Sequence, residues 1–256
     1  MRTLFAAALL LLALASSAAA GDPTCFELRT YHAAPGKATA LHARFRDHTV
    51  ALFQKHGMTN VLYSIPREDS GVAEKNTLVY LLAYPDRDAR EASWKTFRED
   101  PEWIAVKAAS EKDGKLVTRV DSLFLHPTDY SPALPAASAS DKKPGIFEMR
   151  HYTARPGKLA ALDARFRDHT IALLTKHGMT QLPYFHLDEG QDHSEVTLIY
   201  FLAHDSAEAR TESFAAFRKD PDWIAVRDAS EKDGKLVIEN GVVSTLLDPT
   251  DYSPIK

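Results

Sequence analysis

The chain has 256 residues, 45% of them apolar and 26% charged, with a net charge of −4. That balance fits a folded soluble protein of one large domain or two ordinary ones. It excludes a long disordered chain and gives no basic footprint for nucleic acid.

Residues 1–20 have the pattern of a secretory signal: Arg2, an apolar run from Leu4 to Leu14, and Ala18-Ala19-Ala20 as a small-residue cleavage site. The run is too short to span a bilayer, which takes about 20 apolar residues. No later stretch is apolar enough to span one after signal cleavage. The expected location is therefore periplasmic or secreted. Cys25, the single cysteine, cannot form an internal disulfide and fits a small residue at a strand entrance.

Phe26 to His32 alternates as a strand. Pro35-Gly36 turns the chain, and Lys37 to His56 has a helical stripe in Leu41, Phe45 and Leu52, closed by Gly57 as a left-handed cap. Asn60 to Ile65 forms a second strand, followed by a polar loop from Pro66 to Asn76. Thr77 to Tyr84 is a strand apolar on both faces, which requires burial on both sides. Asp86 to Glu99 is helical, and Asp100-Pro101 starts another helix, with Asp as N-cap and Pro at its first position. Gly114 ends it, and Leu116 to Leu125 is the last strand.

This pattern then returns. Of the 34 positions from Phe26 to Thr59, 24 are identical to those from Phe147, and 23 of the 38 from Tyr80 to Val117 match those from Tyr200. PTDYSP at Pro127 recurs at Pro249. A spacing of about 120 residues is a domain length, too long for a solenoid unit. Repeats over 25–132 and 145–256 follow, joined by a Pro/Ala/Ser-rich linker at 133–144. The expected fold is α+β: two ferredoxin-like βαββαβ repeats forming an intrachain pseudo-dimeric α/β barrel.

In the first strand Glu27, Arg29 and Tyr31 alternate against Phe26, Leu28 and Thr30. If the apolar set packs under the helices, the polar set faces the barrel interior and offers an anionic ligand a guanidinium fork. The candidate ligand residues are Arg29, Tyr31, Tyr80 and His48, with Arg150, Tyr152, Tyr200 and His169 in the second repeat. A structural Glu–Arg–Tyr network is the weightier alternative. His48 and His169 fall in register with the apolar stripe, where a packed, satisfied histidine outweighs an acid–base group. His186, Asp188, Glu189, Asp192, His193 and Glu195 match no tight ligand spacing, so no metal is expected. No catalytic serine elbow and no glycine-rich phosphate or dinucleotide loop appears, so no cofactor is expected. Trp103 and Trp223 fit helix packing.

FELRTY followed by PGK, the helix ending KHG, VYLLAY followed by Asp86, Arg90 and Trp94, DPEW at Asp100 and the terminal PTDYSP together resemble the NIPSNAP family, twice over. The resemblance implies a dimeric α/β-barrel fold and no defined reaction. Leu62-Tyr63 and Pro183-Tyr184 stand where that family often has an aromatic Gly-x-Trp segment. His204 replaces Tyr84 and Phe214 replaces Trp94 in the second repeat, which points to different pocket chemistry in the two halves. A binding or interaction module, with an unknown small molecule or protein as partner, is the first reading. A cofactor-independent oxygenase or isomerase is the alternative. Further homo-oligomerisation is compatible with both.

Overall fold

The computed structural model describes residues 22–67, 76–135 and 145–255. The signal segment, most of the linker and most of the Pro66–Asn76 loop lie outside the described residues.

The first half comprises β1 (Cys25–Ala33), α1 (Ala38–Arg44), a π-helical turn (Phe45–Thr49), α2 (Val50–Lys55), β2 (Thr59–Pro66), β3 (Thr77–Tyr84), α3 (Arg87–Glu99), α4 (Pro101–Ser110) and β4 (Val117–Pro127). The second follows the same order: β5 (Ile146–Ala154), α5 (Leu159–Arg165), a π-helical turn (Phe166–Thr170), α6 (Ile171–Lys176), β6 (Thr180–Leu187), β7 (Thr197–His204), α7 (Ala207–Lys219), α8 (Pro221–Ser230) and β8 (Val237–Pro249). Asp86 caps α3 through the Ala89 amide, and Asp100 caps α4 through that of Glu102. These are the bonds expected of short acidic residues at helix starts. Asp100 also accepts from His56 Nε2 at 2.7 Å, tying the KHG end of one helix to the DPEW start of another.

The strands close into one antiparallel barrel in the order β1-β3-β2-β8-β5-β7-β6-β4. Closure removes the sheet edges at two short seams, β2 with β8 and β4 with β6. The repeated PTDYSP lies at these seams and crosses between halves. Tyr252 hydroxyl meets His42 Nδ1 at 2.8 Å, and Arg46 grips Asp251 at 2.6 and 2.8 Å. Reciprocally, Tyr130 donates to Asp163 at 2.7 Å and Arg167 grips Asp129 at 2.7 and 2.9 Å. Ser253 Oγ accepts from the Tyr63 amide, and Ser131 Oγ from that of Tyr184.

The barrel interior is an apolar cluster to which all eight strands contribute, with Phe26, Leu28, Leu81, Phe147, Phe185 and Phe201 among its members. This corrects the face assignment made from alternation. Phe26 and Leu28 point into the barrel, while Glu27, Arg29 and Tyr31 point outward under the helices. The reason is energetic: a buried carboxylate needs charged partners, and on the outer face Arg90 of α3 joins Arg29 beside it. Two outer cores, one per half, lie between sheet and helices.

The helices after β1 and β5 carry a second correction. Val50 N–H bonds the Phe45 carbonyl five residues back, and Thr49 Oγ1 donates to the Arg44 carbonyl at 3.1 Å. This widened turn brings Thr49 inward and leaves His48 exposed; Thr170 and His169 repeat it. The two histidines therefore do not lie on the buried stripe.

Candidate functional site

Glu27 is fully buried on the outer face of β1. Arg29, Ser122 at 2.5 Å, Arg90 at 2.8 and 3.0 Å and Trp94 Nε1 at 3.0 Å all donate to it. Burial alone would raise this carboxyl, yet the Arg90 bonds, the Arg29 charge and the Ser122 hydroxyl bring it down to about 2. Glu148 stands equivalently, with donors from Arg150 and Ser244 at 2.5 Å and Arg210 at 2.7 and 3.0 Å. His204 Nε2 lies 3.1 Å from Glu148, and its carboxyl too is held well below the usual range: burial opposes this, but bonds from His204 and Arg210 prevail.

The sequence differences between halves are thus one exchange. Trp94 Nε1 serves both Glu27 and the Tyr84 hydroxyl, at 3.0 and 2.9 Å. Phe214 has no such donor, and His204 supplies one directly. Arg29 lies 4.4 Å over Trp94, and Arg150 lies 4.7 Å over Phe214. The Glu–Arg pair is enclosed in the outer core of each half.

Beside each network a cavity opens between sheet and helices, about 310 Å³ in the first half and about 320 Å³ in the second. The first is lined by Tyr31 and by Phe45, Phe53, Phe97 and Trp103, with Arg44 at its wall. The second is lined by Arg150, Tyr152, Tyr200, Arg165 and Trp223, with further aromatic rings. Arg29 and Tyr80 stand behind Tyr31: Arg29 Nε donates to Tyr80 hydroxyl at 2.9 Å, and the two tyrosine rings meet at 5.2 Å. Arg150 Nε serves Tyr200 likewise, and its Nη2 reaches the Tyr152 hydroxyl at 3.2 Å. Burial raises the Tyr152 phenol, but the Arg150 charge and the Tyr200 bond outweigh it, and its pKa falls below the ordinary 10. His48 and His169 sit apart, on open grooves of about 560 Å³ between helices.

Of the eight candidates, Tyr31, Arg150, Tyr152 and Tyr200 line an inner cavity, Arg29 and Tyr80 support one, and the two histidines line the outer grooves instead. Sequence reasoning missed Arg44 and Arg165. The available signal was a basic residue beside Phe45 and Phe166, on the inward face of an otherwise apolar stripe. It also missed that Trp103 and Trp223 line the cavities. Cys25 is buried at the start of β1, and burial together with the Asp188 charge raises its thiol to about 11. No acidic, histidine or cysteine cluster suited to a metal occurs among the described residues, and no described helix is long and apolar enough to cross a membrane.

A closed antiparallel barrel with helices outside and a cavity under each helix layer defines a protein of the dimeric α/β-barrel type. The family model for NIPSNAP matches residues 26–132 and 147–254, and the chain belongs to the NIPSNAP family. Among solved structures, an uncharacterized NIPSNAP-like domain protein from Burkholderia xenovorans is 22% identical, with 45% of this chain and 94% of that one aligned and a TM-score of 0.39. A "Putative monooxygenase" from Fusobacterium nucleatum subsp. nucleatum shares the fold at 10% identity, covering 89% and 93% of the two chains, with a TM-score of 0.54. A "Putative Chlorite dismutase" aligns over 91% and 96% at 11% identity, with a TM-score of 0.50. No curated protein matches the chain in sequence.

Proposed function

We infer that this NIPSNAP protein is a small-molecule-binding module that works outside the cytosol. It consists of two ferredoxin-like βαββαβ units, duplicated from one and closed as an intrachain pseudo-dimer. The supporting observation is the recurrence of one aromatic-lined cavity in both halves, at nearly equal volume and of ligand size. The signal-like residues 1–20 support export to the periplasm or beyond.

A thermal-shift screen of small aromatic and carbonyl compounds tests binding. A true ligand raises Tm and quenches Trp103 and Trp223, and both effects vanish in Val117→Trp/Val237→Trp, which fills the cavity walls. A ligand that binds the filled variant equally well overturns the reading. Export is tested by N-terminal sequencing of secreted material; a retained Met1 in the cell extract refutes it.

Tyr152 favours a second reading, a cofactor-independent oxygenase or isomerase. The Tyr152 oxygen accepts from Arg150 Nη2 and the Tyr200 hydroxyl beside the cavity; once its own proton has gone to solvent, the phenolate so held can take a proton from a bound carbon acid. Tyr152→Phe would then abolish turnover while leaving ligand binding intact.

A further inference from the structure

Arg44 and Arg165 occupy the same place in the two halves, and both carry a donor that the protein leaves unmet. Arg44 Nη1 holds Glu111 at 3.0 Å and Ser110 at 3.3 Å. Arg165 Nη1 holds Glu231 at 3.1 Å and Ser230 at 3.4 Å. The Nε atom of each arginine is buried and has no hydrogen-bond partner. Buried donors are normally satisfied, so the same exception in both halves calls for a function.

A lysine could form the ion pair with the glutamate as a point charge. What only arginine provides is the planar edge bearing Nε, which matches the two oxygens of a carboxylate. That edge is the unused part. Each guanidinium lies 5.3 Å from an indole face, Arg44 over Trp103 and Arg165 over Trp223, which fixes its plane. The residue itself is delivered inward at the junction of α-helix and π-turn, where Arg44 and Phe45 are both buried in succession. Each arginine lines its half's inner cavity and also the outer groove between the helices beside it.

The charge around the cavities agrees. In a chain of net charge −4, the first cavity is lined by Arg44, Lys107, Lys115 and Arg119 against Glu111 alone. The second is lined by Arg150, Arg165, Arg218 and Arg227 against Glu231 alone. Both glutamates are already engaged by the arginine in question. Arg119 is paired with Asp121, Arg150 with Glu148 and Arg227 with Asp228, so the field that draws an anion comes from Lys107 and Lys115 in the first cavity and Arg218 in the second, and the aromatic walls accept a flat ring.

We propose that each cavity binds an aromatic carboxylate, anchored through the Nε edge of Arg44 in the first half and of Arg165 in the second. This rests on the small-molecule reading above and names its ligand class. The Nε hydrogen is shielded from solvent, so water does not satisfy it. The anchor therefore requires the guanidinium to turn its Nε edge toward the cavity when a carboxylate enters, staying on the indole face and keeping Nη1 on the glutamate.

The test uses the full chain and two fluorine probes followed by 19F NMR, 4-fluorobenzoate and its neutral analogue 4-fluorobenzamide. The expected result is saturable benzoate binding at two sites per chain, with the amide about tenfold weaker or worse. Arg44→Lys removes one site and Arg165→Lys the other, although lysine keeps the charge and the glutamate pair. Unchanged thermal unfolding in these variants separates anchoring from a structural loss. Should a variant unfold, the benzoate-to-amide preference of the native chain alone decides. Equal binding of acid and amide, or binding that survives Arg44→Lys/Arg165→Lys, overturns the anchor while leaving the cavities as binding sites. Failure of both probes to bind at millimolar concentration overturns the anchor and counts against the small-molecule reading as well.

Discussion

Replacing Glu27 by Gln removes one buried charge and almost no volume, which makes its cost calculable. The carboxylate is completely enclosed and faces the guanidinium groups of Arg29 and Arg90. Its pKa is depressed from the ordinary 4.5 to about 2. A depressed carboxyl stabilises the fold above its unfolded pKa, and that stability is lost as pH falls through the folded value. At roughly 1.4 kcal/mol per pH unit, the contribution is about 3 kcal/mol at pH 7 and less than half of that at pH 3. Arg90 keeps Glu91, but leaving the nearly enclosed Arg29 without its carboxylate independently suggests about 3–5 kcal/mol, so the two routes agree in scale. Urea unfolding of wild type and Glu27→Gln at pH 7 and pH 3 measures the deficit directly. The deficit should shrink by about half or more at the lower pH, because the carboxyl of the unfolded wild-type chain is protonated there while the folded one is still mostly ionised. A deficit equal at both pH values, or below about 1 kcal/mol at pH 7, would refute the assignment of Glu27 as a buried ionised centre.

The exchange between halves predicts coupling. His204→Tyr and Phe214→Trp should each destabilise, while the double variant recovers about 1 kcal/mol or more because it rebuilds the first half's network; a double-mutant cycle by urea unfolding decides. Gly145→Ala should cost about 1–3 kcal/mol, since its Cβ would lie 1.8 Å from the Asp205 carbonyl oxygen, and backbone cannot step aside cheaply; a Tm equal to wild type contradicts this. Tyr252→Phe, which breaks the bond to His42, should cost about 1 kcal/mol by chemical unfolding. Residues 145–255 expressed alone should form a dimer by light scattering, because the PTDYSP tail of one copy fits the receiving site around Asp163 and Arg167 of another. A folded monomer would show that the crossing tails do not hold the halves together.

Much of the site was half legible. The alternation of Glu27, Arg29 and Tyr31 against Phe26 and Leu28 separated two faces correctly, yet gave no sign of which face met the barrel. Arg90 and Trp94, the partners that decide it, lie more than sixty residues away on α3. His48 and Thr49 were equally placed on a 3.6-residue wheel, and one extra residue in the turn chose Thr49. Arg44 falls on the inward side of the stripe, but a helical wheel does not report that a neighbouring indole and glutamate will enclose it.

Local pattern and internal identity by themselves determined the strands, the helices with their Asp caps, and the doubled order of elements. These depend on residues a few positions apart, where propensity and periodicity act. Tertiary structure alone decided the inward face of the barrel, the crossing of the tails and the two cavities. Those depend on which distant side chains satisfy a buried charge or fill an apolar interior, and that free energy exists only once the chain has closed.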